Sequence, residues 1–115
     1  MSEGEQNGVR RFGMVIGLRP EMVEKYKELH AGPGVRRLLR LANIRNFCIY
    51  LRKLDDGRCL EFAYYEYAGS DYAADMTWLA AQPENQAWLA LCDPMQIPLA
   101  GEKSWAAMEE IFYND

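Results

Sequence analysis

Residues 44–67 read IRNFCIYLRKLDDGRCLEFAYYEY. Two runs rich in aromatic and branched residues flank Asp55-Asp56-Gly57. Glycine supplies the positive φ of a tight turn, and aspartate bonds readily to turn backbone. The segment therefore predicts a β-hairpin. One strand covers Ile44 to Leu54, with Phe47, Ile49 and Leu51 on one face, and the other covers Arg58 to Tyr67.

Upstream of the hairpin, Arg10 to Leu18 also alternates. Phe12, Met14, Ile16 and Leu18 point one way, and the slimmer set Arg11, Gly13, Val15 and Gly17 points the other. Pro20 is suited to a first helical turn, and Glu21 and Glu24 complement the positive end of the helix it opens. Met22, Val23, Tyr26, Leu29 and His30 recur at helical spacing until Gly32-Pro33-Gly34 breaks the helix. A second helical piece carries Val35, Leu38, Leu39 and Ala42 in register.

Downstream, Ser70 or Asp71 caps a helix from about Tyr72 to Ala81, and Pro83 and Glu84 start another that runs to about Cys92. A proline-containing loop, Asp93 to Lys103, leads to a closing strand from Trp105 to Tyr113, with Met108, Ile111 and Phe112 as its apolar positions. The order β-α-β-β-α-β is the ferredoxin-like α+β arrangement. Helices on one face of such a sheet leave the other bare, and the apolar residues there predict a homodimer packed sheet to sheet as a dimeric α/β barrel.

One domain, residues 10–115, is expected after a polar tail, residues 1–9, read as disordered. Half of the 115 residues are hydrophobic, enough for one real core. Thirteen basic against 17 acidic residues give a net charge of −4, a poor match to nucleic acid. No apolar run reaches the ~20 residues of a membrane span, and the first residues have no basic-then-apolar leader pattern. Cys48, Cys59 and Cys92 are scattered and form no CxxC pair, which points to thiols in a reducing compartment, the cytoplasm.

Metal chemistry is not expected, because one histidine and three dispersed cysteines make no ordinary zinc site. Any activity should survive EDTA; activity abolished by EDTA and restored by zinc would overturn that expectation.

His30 is the only histidine, and an imidazole exchanges protons near neutral pH. Tyr26 lies one turn before it, on the same helix face. The break at Gly32-Pro33-Gly34 offers a mouth for a small ligand. A histidine at a helix C-terminus is also explained, from spacing alone, as a cap favoured by the helix dipole. The aromatics, among them Trp78, Trp88, Tyr64, Tyr65 and Tyr67, suit either a core or a sugar site, where apolar sugar faces stack on rings. Asp55-Asp56 reads as turn chemistry and Glu109-Glu110 as a solvated strand edge. No G-x-G-x-x-G, P-loop, G-x-S-x-G or H-E-x-x-H motif occurs.

Several segments together resemble the L-rhamnose mutarotase family. They are Phe12 to Pro20, Glu24-Lys-Tyr-Lys-Glu-Leu-His30, Asn43 to Leu51, Gln82-Pro-Glu-Asn-Gln-Ala-Trp88 and Met108 to Tyr113. Their order and spacing, from Arg10 to Tyr113, carry the resemblance. It implies a dimeric ferredoxin-like enzyme that interconverts the α and β anomers of L-rhamnose or a related deoxy-hexose, without cofactor or metal. It implies His30 as the catalytic histidine, with Tyr26, Phe47 and Trp88 as substrate-binding positions. Phe47 falls where the family has a tyrosine, Leu89 where it has a second tryptophan, and Ala31-Gly-Pro-Gly34 where it has a Trp-Pro pair. Two other readings are a sugar-binding relative without turnover, and a different barrel enzyme of this fold, such as a small monooxygenase or lactone isomerase.

Overall fold

The computed structural model describes residues 5–6 and 9–115. Its elements are β1 (Glu5–Gln6), β2 (Val9–Leu18), α1 (Val23–Ala31), α2 (Arg36–Leu41), β3 (Ile44–Lys53), β4 (Cys59–Tyr67), α3 (Tyr72–Ala81), α4 (Pro83–Cys92), β5 (Gln96–Ile97) and β6 (Ala106–Met108). Short 3₁₀ turns, Pro20–Met22 and Asp93–Met95, lead into α1 and out of α4.

The hairpin forms as its sequence predicts. Gly57 has φ +92, Leu54 and Arg58 close the loop through a 2.7 Å backbone bond, and Asp56 accepts from the Arg58 backbone and side chain at 3.0 and 2.8 Å. β4 then pairs antiparallel with β2 along its whole length, Arg10 opposite Tyr67 through Leu18 opposite Cys59. Since β6 pairs with the free edge of β2, the sheet runs β6-β2-β4-β3, the ferredoxin-like order. At the start of α3, Asp71 is the cap: its side chain accepts from the Ala74 backbone at 3.1 Å.

The helices cover one face. Leu18, Tyr26, Cys59, Cys92 and Met95 form one buried cluster, with Trp88 packed against it. Ala42, Ile44 and Tyr67 form a second, flanked by Phe12, Tyr65 and Tyr72. The opposite face carries Val15, Phe62 and Tyr50 in one cross-strand row, and Tyr50 is 69% exposed.

Two expectations change at the chain ends. The closing strand is Ala106–Met108 rather than Trp105–Tyr113. It pairs with Gly13–Val15, while Glu5–Gln6 takes the same edge of β2 at Val9–Arg10, so the edge is occupied where the closing strand would continue. The terminal residues are held by side chains instead. Arg11 donates to both Glu110 oxygens at 2.7 and 2.8 Å, and its guanidinium lies 3.5 Å from the Tyr113 ring centre. Glu110 is thus an ion-pair partner, not a solvated edge. The disordered tail expected over residues 1–9 lies outside the described residues at 1–4 and 7–8; Glu5–Gln6 and Val9 are paired strand.

Candidate active site

α1 ends where its sequence stops it. Gly32 is extended (ψ −174), and Pro33 cannot continue a helix. The helix-end carbonyls left without partners find one in Arg36, whose guanidinium donates to the carbonyls of Gly32 and His30. The chain thereby folds back at Gly34, whose φ of +53 suits glycine. A Cβ there would stand 3.4 Å from the Trp88 ring, so the missing side chain also makes room for the tryptophan.

Beneath this break lies a cavity of about 440 Å³, a size typical of small-molecule sites. It is bounded by α1, the Gly32–Gly34 loop, α2, β3 and α4, and its wall is largely apolar, including Leu18, Leu39, Phe47 and Ile49. All four residues singled out from sequence, Tyr26, His30, Phe47 and Trp88, line it. Trp78, Tyr64, Tyr65 and Tyr67 do not. Tyr65 stacks on Phe12 at 4.8 Å, the Tyr67 hydroxyl donates to Asp75, and Tyr64 donates to Glu66 on the bare face.

The His30 imidazole packs on the Tyr26 ring at 4.2 Å between centres and meets the Trp88 ring edge-on at 5.1 Å. Its Nδ1 lies 2.7 Å from the Tyr26 backbone oxygen. A carbonyl only accepts, so Nδ1 carries the proton and donates; in the neutral ring Nε2 is then left with a lone pair. Two aromatic contacts and one hydrogen bond fix the ring's orientation. Phe47 stacks on Tyr65 at 5.5 Å and contributes a ring without a hydroxyl.

Two further polar residues at the site do not emerge from sequence spacing. Gln96, on β5, donates to the Tyr26 hydroxyl at 3.0 Å. Glu61, in the middle of β4, lines the cavity while only 1% of its surface is exposed, and among the described residues neither carboxyl oxygen has a hydrogen-bond partner. Burial pushes its carboxyl up to about 7, and the Tyr26 hydroxyl, beyond hydrogen-bonding geometry, acts in the other direction. Tyr26 is itself raised, first by burial and then by the Glu61 charge, with Gln96 acting in the other direction. The signal for Glu61 was available: it shares the face of Cys59, Ala63 and Tyr67, all buried, so strand alternation puts a carboxyl inside. The signal for Gln96 was not, since it lies in the segment read as loop.

Among the described residues no group of three or more His, Cys, Asp or Glu side chains converges. No helix there is long and apolar enough to cross a membrane.

A sequence profile of the L-rhamnose mutarotases matches residues 11–114. A search of curated proteins finds no match. Among solved structures, the crystal structure of the L-rhamnose mutarotase of Formosa agariphila superposes with a TM-score of 0.68 at 19% identity, over 91% of this chain and 98% of that one. The likeness extends to the whole fold, and the profile spans nearly the whole sequence. The chain belongs to the L-rhamnose mutarotase family, isomerases that interconvert sugar anomers.

Proposed function

We propose that this protein interconverts the α and β anomers of L-rhamnose or a closely related deoxy-hexose in the cavity under the Gly32–Gly34 break, with His30 as its proton-transfer group. The observation that carries this reading is the fixed imidazole: Nδ1 is tied to the Tyr26 carbonyl, which leaves Nε2 free to act in a cavity lined by aromatic rings.

The reaction needs no redox step. His30 Nε2 takes the proton of the anomeric hydroxyl, whose oxygen forms a double bond to C1 as the C1–O5 bond breaks. The electron pair of that bond stays on O5, which gains a proton. Rotation about C1–C2 presents the other carbonyl face. O5 then gives up its proton as it re-adds to C1, the carbonyl oxygen takes the proton back from His30, and each group regains its starting state. Tyr26, Phe47 and Trp88 hold the sugar, the rings against its C–H faces. Saturation-transfer NMR on a panel of 6-deoxy sugars tests the assignment, with anomer exchange well above the buffer rate expected for L-rhamnose or a near relative. Exchange no faster than buffer, with binding retained, would favour a sugar-binding role. That second reading draws on Phe47 and on Leu89, 43% exposed, where the family pattern has hydroxyl-bearing and indole rings.

We further propose a homodimer with the bare sheet faces packed together. Tyr50 (69% exposed), Ile111 (88%) and Phe112 (79%) are large apolar side chains left to solvent, and covering such surface is favourable. Light scattering at micromolar concentration should return twice 13.3 kDa, with an interface of at least ~1,000 Å²; a monomer mass would refute it. The free thiols Cys48, Cys59 and Cys92 suit a cytoplasmic protein.

A further inference from the structure

Ring opening leaves one requirement that His30 does not meet while it accepts the anomeric proton: O5 must receive a proton as its bond to C1 breaks. A lone tyrosine is a poor source, and Tyr26 is a weaker acid than an ordinary tyrosine because it is buried beside a carboxyl.

That carboxyl is the anomaly of the fold. Glu61 sits in a cross-strand row between Ile16 and Leu51, at the centre of the sheet, on the helix-covered face. Among the described residues it has no salt-bridge partner, and neither of its oxygens has a hydrogen bond. A buried polar group without a partner costs stability, so its presence points to a use. Its oxygens are closed off from solvent, yet the side chain borders the cavity beside Tyr26. The Tyr26 hydroxyl accepts from Gln96, which leaves a second lone pair and its own proton uncommitted.

We propose that Glu61 supplies the proton for the ring oxygen, and that it does so through the Tyr26 hydroxyl. The proposal rests on the mutarotase reading. The carboxyl proton of Glu61 passes to the Tyr26 oxygen as the Tyr26 hydroxyl proton passes to O5. The electron pair of the breaking C1–O5 bond takes up that proton, and Glu61 is left as carboxylate. Ring closure reverses each transfer, so no outside acid or base is consumed. Tyr26 touches the sugar and Glu61 acts through it. The titratable and charged groups that line its cavity are Tyr26, Lys27 and His30 from α1, Arg36 from α2 and Cys48 from β3; Cys92 of α4 feels the Glu61 charge, and Cys59 lies two residues before it on the same strand. Tyr26 is the one whose hydroxyl eases its shift.

The test uses the intact chain, with L-rhamnose exchange followed by saturation-transfer NMR across pH. Glu61→Gln keeps the shape and removes the acid. It should lose about 10²-fold in exchange rate, the usual scale of one acid–base partner. Tyr26→Phe should lose a similar factor, and the double variant no more than either alone, because both interrupt one relay. Glu61→Asp should recover part of the loss. Wild-type exchange should fall as pH rises past about 7, where Glu61 loses its proton, and Glu61→Gln should lack that limb.

Glu61→Gln exchanging within about threefold of wild type, where general acid help predicts ~10², would overturn the proposal and leave the His30 reading standing. So would multiplicative losses in the double variant. Should Glu61→Gln not fold, the wild-type profile still decides, since a flat rate through neutral pH overturns the relay. Wild-type exchange no faster than buffer would overturn both readings together.

Discussion

His30→Ala should slow anomer exchange by about 10²–10⁴-fold, the range over which positioned acid–base groups act, while the fold and oligomeric state stay unchanged. The imidazole is half-buried in the last turn of α1. Its contacts are one backbone carbonyl and the faces or edges of two rings, so its loss opens space toward an existing cavity rather than inside the packed clusters. The carbonyl of Tyr26 remains in the helix. Stability should therefore change little, and circular dichroism with light scattering will separate a chemical defect from a structural one. Tyr26→Phe should fall at the lower end of that range, about 10²-fold, because the ring against the imidazole stays and the loss is that of the hydroxyl. Exchange unaffected by His30→Ala would mean that the proton carrier for the anomeric hydroxyl is another group.

The residues that decide this experiment were legible in the sequence for a simple reason. Tyr26 and His30 are one helical turn apart and the break follows directly, so local geometry alone brings them together. The strand order was equally legible, because the hairpin turn and the alternation of β2 and β4 are local signals. What escaped depends on partners distant in the chain. Ile44 and Phe47 both face the helices, although their spacing of three should put them on opposite faces. A bulge between Arg45 and Cys48 reverses the alternation, with Asn46 in the left-handed region at φ +52, a conformation asparagine tolerates better than most residues. The closing strand was overextended because its sequence does not reveal that Glu5–Gln6 takes the neighbouring edge. Gln96 reaches Tyr26 only once β5 has paired with β2.

Removing the Glu61 carboxyl should make the protein more stable at alkaline pH, a prediction that depends on burial alone and not on catalysis. Burial pushes the folded carboxyl up to about 7, against 4.5 for a solvent-exposed glutamate. Between those values the folded state holds a proton that the unfolded chain has released. Stability therefore declines as pH rises through this window, and the full cost is present above about 7. At ~1.4 kcal/mol for each pH unit, that cost is roughly 3 kcal/mol. Glu61→Leu replaces an unpartnered carboxyl with an apolar side chain in a row already holding Ile16 and Leu51. Urea midpoints at about pH 5 and about pH 8.5, at one protein concentration because association adds its own stability, should show a decline in wild type that the variant lacks. At the higher pH the variant should melt on the order of 10 °C above wild type. A variant less stable than wild type at both pH values, or one with the same pH slope, would mean that Glu61 is not buried as an unpaired acid. If the variant is both more stable and inactive, the carboxyl is retained at a cost to the fold, as expected of a group held for its chemistry rather than for packing.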